Sequence, residues 1–244
     1  MTAVDTGIGE ATTHSAAERR YLRTAAKLGV ALPLGPLIMV AIGGIPYPHD
    51  NVDGQTYVDY MFPHHIGELQ TYVYLFYSAV MLAFVILLAA AYMQRAGRVT
   101  ASGILMVSGI TAYIGTQMAV VGFYMGILLW GRGYPSFGSD PADLRLISFV
   151  WGTLQVIYLA SAVLAGVTWT AVALANRTPQ LLPPVLGTRG ALLVAAVQFA
   201  VLGTLFITRG PWSPGSILQY TVQTLASFLW ITATSVFLLR KTRS

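Results

Sequence analysis

The chain has 244 residues, of which 55% are hydrophobic and 9% charged, with a mean hydropathy of +0.65. Soluble domains carry about 25% charged residues, so this composition excludes an ordinary soluble enzyme, a disordered chain and a nucleic-acid binder. The formal charge of +5 marks membrane orientation rather than a polyanion partner, and the absence of cysteine excludes disulfides, thiolate metal sites, cysteine nucleophiles and covalent haem.

Residues 1–24 are polar and have no apolar core, so they read as a cytoplasmic tail rather than a signal peptide. Beyond them, uncharged stretches run over 28–48, 69–94, 99–131, 146–176, 190–208 and 210–239. A bilayer core needs roughly 20 apolar residues as helix, so residues 25–244 are predicted to form six transmembrane helices. Pro33 and Pro36 interrupt the first. Asp140-Pro141-Ala142-Asp143 is an N-cap, a proline at the first helical position and an acid in the first turn, and it should start the fourth helix. Ser213-Pro214 should start the sixth, and Thr188 should cap the fifth. No internal repeat is visible, and the longest outer segment, about 46–67, is too short for its own core.

Eleven of the fourteen basic residues fall on one side of these spans; only Arg132, Arg145 and Arg209 fall on the other. Three acids lie with the majority, and Asp50, Asp53, Asp59, Glu68, Asp140 and Asp143 lie opposite. The positive-inside rule then places both termini in the cytoplasm of a multi-pass plasma-membrane protein. Trp130, Tyr134 and Trp212 fit an outer aromatic belt, and Tyr92 and Trp169 an inner one. The expected fold is an all-α polytopic bundle.

Chemistry concentrates in the outer segment. His49, Asp50, Asp53, Asp59, His64, His65 and Glu68 fall within twenty residues. With Pro63 as the first residue of the second helix, Glu68 stands at i+4 from His64 and i+3 from His65, on a shared face. Imidazole with carboxylate suits copper, zinc or non-haem iron. A polar solvated loop explains the same residues without a metal. All three histidines lie at one surface, which disfavours a bis-histidine haem.

The spans also carry polar residues: Gln70, Thr71, Tyr72, Tyr74, Tyr77 and Ser78 in the second, and Gln117 in the third. Gln155, Tyr158 and Ser161 lie in the fourth; Gln219, Gln223 and Ser227 lie in the sixth. No ionisable acid or base lies deep in a span, which argues against a proton relay or a voltage sensor. Singly, such residues read as interhelical hydrogen bonds. The line Glu68, Gln70, Tyr74, Ser78 instead suggests an outward-open polar cavity. Gly103, Gly109, Gly122 and Gly126 read as close helix packing.

Residues 50–68 carry Asp50-Asn51-Val52-Asp53-Gly54, then Thr56, Asp59, Phe62-Pro63, His65-Ile66 and Glu68. A helix ending in the basic turn Arg95-Ala96-Gly97-Arg98 follows. This region resembles the metal-site region of the C subunit of copper membrane monooxygenases, which oxidise ammonia, methane or short hydrocarbons. In that family an aspartate and two histidines bind a metal near the outer membrane face. By position, the resemblance implies that Asp53 and His65 are the aspartate and the second histidine. Tyr57 stands where the family has its first histidine, so His49 or His64 would have to replace it. The intervening stretch is shorter than the family's, and the resemblance covers about fifty residues.

Three functions are expected from these features. The first is an outward-facing metal site, with His49, Asp53, Asp59, His64 and His65 as candidate ligands and Glu68 as a candidate catalytic residue, in a subunit of a membrane oxidase or monooxygenase. The second is an outward-open protein that binds or transports a small solute. The third is a structural subunit that packs against other membrane subunits.

Overall fold

A computed structural model describes residues 16–35, 38, 54–61, 66–134, 136–207, 212 and 217–242, with backbone only at 60, 61, 66–68, 70 and 217–220. Every regular element among these residues is helical. The α-helices are α1 (Ala16–Ala31), α2 (Gly54–Met61), α3 (Ile66–Ala96), α4 (Ala101–Gly133), α5 (Pro141–Ala160), α6 (Ala162–Ala175), α7 (Ala191–Val201) and α8 (Ile217–Lys241). A π-helical turn, Val185–Gly190, precedes α7, and a 3-10 turn, Leu202–Phe206, follows it.

Five stretches among the described residues are long and apolar enough to cross a membrane: Thr71–Ala96, Ala101–Gly133, Pro141–Ala175, Val185–Phe206 and Thr221–Lys241. They coincide with the second to sixth predicted spans. Most of the first, 28–48, lies outside the described residues. The part that is described differs from expectation, because α1 begins at Ala16, within the stretch read as a tail. Charge gaps hide this helix, whereas its spacing reveals it. Glu18, Leu22, Ala25, Ala26 and Gly29 form a buried stripe at helical intervals, turned toward α3 and α8. Gly29 lets α1 close on its neighbours: a Cβ there would collide with Ser235 Oγ and press on Ile231 and Phe84.

Of the predicted cap signals, the one at Asp140 is obeyed. Asp140 accepts from Ala142 N at 2.7 Å and starts α5, with Pro141 in its first turn. Thr100 caps α4 by accepting from Gly103 N at 3.1 Å. Gly97, at φ +65°, ends α3, with Arg98 N reaching Met93 O at 3.3 Å and Gly97 N reaching Gln94 O at 3.2 Å. Thr188 is not a cap: it lies inside the π-helical turn, and its hydroxyl accepts from Asn176 Nδ2 at 3.3 Å. Ser213 and Pro214 lie outside the described residues.

The span read as one helix over 146–176 is two. The backbone slackens at Ser161, whose hydroxyl donates to Tyr158 O at 2.6 Å and accepts from Gln117 Nε2 at 2.6 Å. A side-chain hydroxyl competing for the helix's own carbonyls loosens that turn.

Polar clamps fasten the end of the bundle that carries Arg95, Arg177, Arg189 and Lys241, called here the basic end. Arg95 Nη1 donates to Glu18 Oε1 at 3.2 Å, and Lys241 Nζ donates to Leu181 O at 3.2 Å. Asn176 Oδ1 accepts from Tyr92 Oη at 2.8 Å and Leu182 N at 3.0 Å, while its Nδ2 donates to Leu182 O at 3.0 Å. Tyr92 and Trp169 are therefore core residues rather than an aromatic belt; Trp169 Nε1 donates to Ser227 Oγ at 3.1 Å. Trp130, Tyr134 and Trp212 are exposed as a belt requires.

The main apolar core joins α1, α3, α4, α6, α7 and α8. A smaller one, built on Tyr57, Leu128, Ile147 and Trp151, sits at the far end, where α2 packs on α5. Glycine packing is divided in the same way. Gly103 and Gly109 face Met93 and Thr168 closely, whereas a Cβ on Gly122 or Gly126 would meet nothing within 4 Å. The expected close packing at the second pair is absent among the described residues, because α4 there borders an open groove with Phe123, Trp130, Leu146 and Val150.

Candidate functional site

The predicted metal residues are only partly within reach. His49, Asp53, His64 and His65 lie outside the described residues. Glu68 falls in the first turn of α3, with its backbone alone described. Asp59 is exposed on α2, and its Oδ1 accepts from Gln55 Nε2 at 2.7 Å. Among the described residues no three histidine or acidic side chains converge.

The polar residues of the spans, by contrast, converge. α3 contributes Thr71 and Tyr74, α4 contributes Gln117 and Tyr124, and α5 contributes Trp151, Gln155 and Tyr158 to one cavity of about 50 Å³. That exceeds the ~10–15 Å³ a single ordered water requires. Trp151 is ten residues into α5, so the cavity begins about 15 Å below that helix's start and reaches one to two turns further, to Tyr158.

Each wall is held by its own contacts. Thr71 Oγ1 donates to Met125 Sδ at 2.9 Å, tying α3 to α4. Gln117 reaches Ser161 Oγ at 2.6 Å, tying α4 to the break between α5 and α6. Tyr158 shares a 3.1 Å hydrogen bond with Thr224 Oγ1 of α8 and is also bonded to Tyr113 of α4. Among the described residues the Gln155 amide has no hydrogen-bond partner, and it lines the cavity with both a donor and an acceptor. Among the described residues no acid, lysine, arginine or histidine lines it. An anion or cation would therefore enter without a counter-charge, whereas a neutral molecule with hydrogen-bonding groups would not need one.

Above Trp151 and Tyr124 sits Tyr57 of α2. It is fully buried, its ring 5.0 Å from Trp151 and 6.1 Å from Tyr124, with the latter two rings 5.8 Å apart. The position where the family pattern has a histidine is thus an aromatic contact between α2 and the cavity wall. α2 is seated by Gly54, whose N donates to Ser148 Oγ at 2.6 Å and whose Cα lies so near Leu144 O that a Cβ would collide with it.

Thr71, Tyr74, Gln117, Gln155 and Tyr158 were each visible in sequence as polar residues within spans. Their convergence was not, because it depends on how three helices rotate about their axes. Tyr74 faces the cavity, as the polar line on the second span predicts, while Ser78 below it is buried and its hydroxyl has no partner among the described residues. Trp151 carried no sequence signal, since an aromatic residue in an apolar chain is ordinary, and Tyr57 stood out only as the residue in place of the family's first histidine. No protein-family model, curated protein or solved structure matches the chain.

Proposed function

We propose that this chain is a plasma-membrane protein with both termini cytoplasmic that binds or passes a small, uncharged, hydrogen-bonding solute through the cavity between α3, α4 and α5. One observation carries the reading. Three helices turn amide and hydroxyl groups onto a shared space that, among the described residues, is lined by no carboxylate, lysine, arginine or histidine and by no partner for the Gln155 amide. Polar groups in a bilayer are costly unless satisfied, and a neutral polar guest satisfies them. Urea and glycerol serve as probes. Proteoliposomes in a stopped-flow osmotic assay should take up at least one of them faster than protein-free vesicles. Val121→Phe, which narrows the cavity, should slow that uptake several-fold. Rates equal to those of protein-free vesicles for both probes would refute the reading.

A metal at the outer mouth is the second reading. In it His64, His65 and an aspartate bind copper, zinc or non-haem iron, and Glu68 orients a ligand or handles a proton, as in a membrane oxidase or monooxygenase subunit. In its favour, Asp59 is exposed on α2, with only residues 62–65 between α2 and α3 to carry the histidine pair. Elemental analysis of purified protein should find about one transition ion per chain, lost in the double variant His64→Ala/His65→Ala. Equal metal content in the two proteins would eliminate this reading.

A further inference from the structure

The exposed face of α1 carries Arg19, Arg20, Arg23 and Lys27. None of the four makes an ion pair among the described residues, and the neighbouring acid, Glu18, is buried and committed to Arg95. One turn on, the same face becomes apolar, with Val30 and Leu34 exposed. On α1, then, the change from cationic to apolar surface falls between Lys27 and Val30.

On the adjoining helix it falls elsewhere. Glu18 is level with Arg95, and Gly29 is level with Phe84, so α1 and α3 run antiparallel residue for residue. Lys27 is nine residues past Glu18, about 13 Å along the axis. It is therefore level with the apolar body of α3, at the height of Ile86, which is itself exposed. Cations at that depth on a lipid-facing surface are costly, even when their stems bend toward water. A negative headgroup drawn into the step between the two helices removes much of that cost.

The surface there has the matching shape. An opening of about 610 Å³ is bounded by Ala16, Ala17, Arg20, Tyr21 and Thr24 of α1 and by Leu87 of α3. It combines a guanidinium fork, a phenol and a hydroxyl with small apolar floor residues. A guanidinium pairs bidentately with phosphate oxygens, and basic pockets beside transmembrane helices suit anionic headgroups. We infer that α1 and α3 form a binding site for an anionic phospholipid, its phosphate held by Arg20 with Arg23 and Lys27 adding charge, and its acyl chain lying along Leu87, Ile86 and Val30. The apolar half of the site favours a lipid over a free phosphate ion.

The test measures thermal unfolding of the full chain in neutral detergent with added phosphatidylglycerol, phosphatidylcholine or inorganic phosphate. Phosphatidylglycerol should raise the midpoint, because a ligand of the folded state stabilises it; the other two should not. The triple variant Arg20→Gln/Arg23→Gln/Lys27→Gln should lose the rise, whereas Arg98→Gln/Arg177→Gln, also exposed but off α1, should keep it. Four outcomes would overturn the site: an equal rise with phosphatidylcholine, the same rise with inorganic phosphate, a rise that survives in the triple variant, or one that vanishes in the control. If the triple variant does not fold, native mass spectrometry of Arg20→Gln decides. Wild type should retain one phosphatidylglycerol and this variant none; equal retention would refute the proposal.

Discussion

Asn176 makes four hydrogen bonds from a position with no exposure at all, joining Tyr92 of α3, both backbone groups of Leu182 and the Thr188 hydroxyl. Asn176→Ala would leave these groups buried with nothing to replace the amide, at roughly 1–3 kcal/mol for each group left unsatisfied. Repacking relieves part of this, and the expected net loss is about 3 kcal/mol, read as a fall in the midpoint of unfolding in detergent. Tyr92→Phe removes one donor alone and should cost about 1 kcal/mol. The double variant should then cost less than the sum of the two, because the Tyr92–Asn176 contact is lost only once. Nothing in the sequence marks Asn176, since an asparagine before a basic loop is ordinary and its partners are distant along the chain. Glu18 was equally hidden. It was counted as one charge of a polar tail, and only its spacing from Leu22, Ala25 and Gly29 places it on the buried face beside Arg95.

Helices were legible wherever charge delimited them, as with α3, α4, α7 and α8, because hydrocarbon excludes unpaired charge. α1 was missed for the converse reason: its basic residues sit on one face, and a linear scan for uncharged runs cannot see a face. The break at Ser161 was missed because serine is common in membrane helices and its hydroxyl usually bonds within the turn without opening it. That break has a measurable outcome. α6 is buried along most of its length between α4 and α7, whereas α5 buries five residues of twenty and leans on the small far-end core. Amides of Ala162–Ala175 should exchange hydrogen more slowly than those of Pro141–Ala160, by at least tenfold in detergent. Equal protection would mean that the two segments open as one helix.

For the molecule as a whole, the proposed orientation follows from the charge asymmetry, and the basic end is where the structure gathers Arg95, Arg177 and Lys241. Because the chain has no cysteine, single cysteines at Ala11, Gly138 and Ser244 report its sidedness cleanly. On intact cells an impermeant thiol reagent should label Gly138→Cys and spare the other two. Labelling of Ala11→Cys but not Gly138→Cys would reverse the topology. The candidate site was half legible at this scale. Polar residues in the spans announced a cavity, whereas the metal reading rested on a segment whose histidines lie outside the described residues.

Gly122 and Gly126 leave one flank of α4 without side chains. Among the described residues a Cβ at either would meet open space, and the groove they border between α4 and α5 measures about 630 Å³. Its apolar lining, Phe123, Leu146 and Val150, suits an acyl chain. A groove filled by lipid takes its width from the chains that fill it. A bilayer that crowds its chains then works against any movement that widens the gap between α4 and α5, and one that relaxes them permits it.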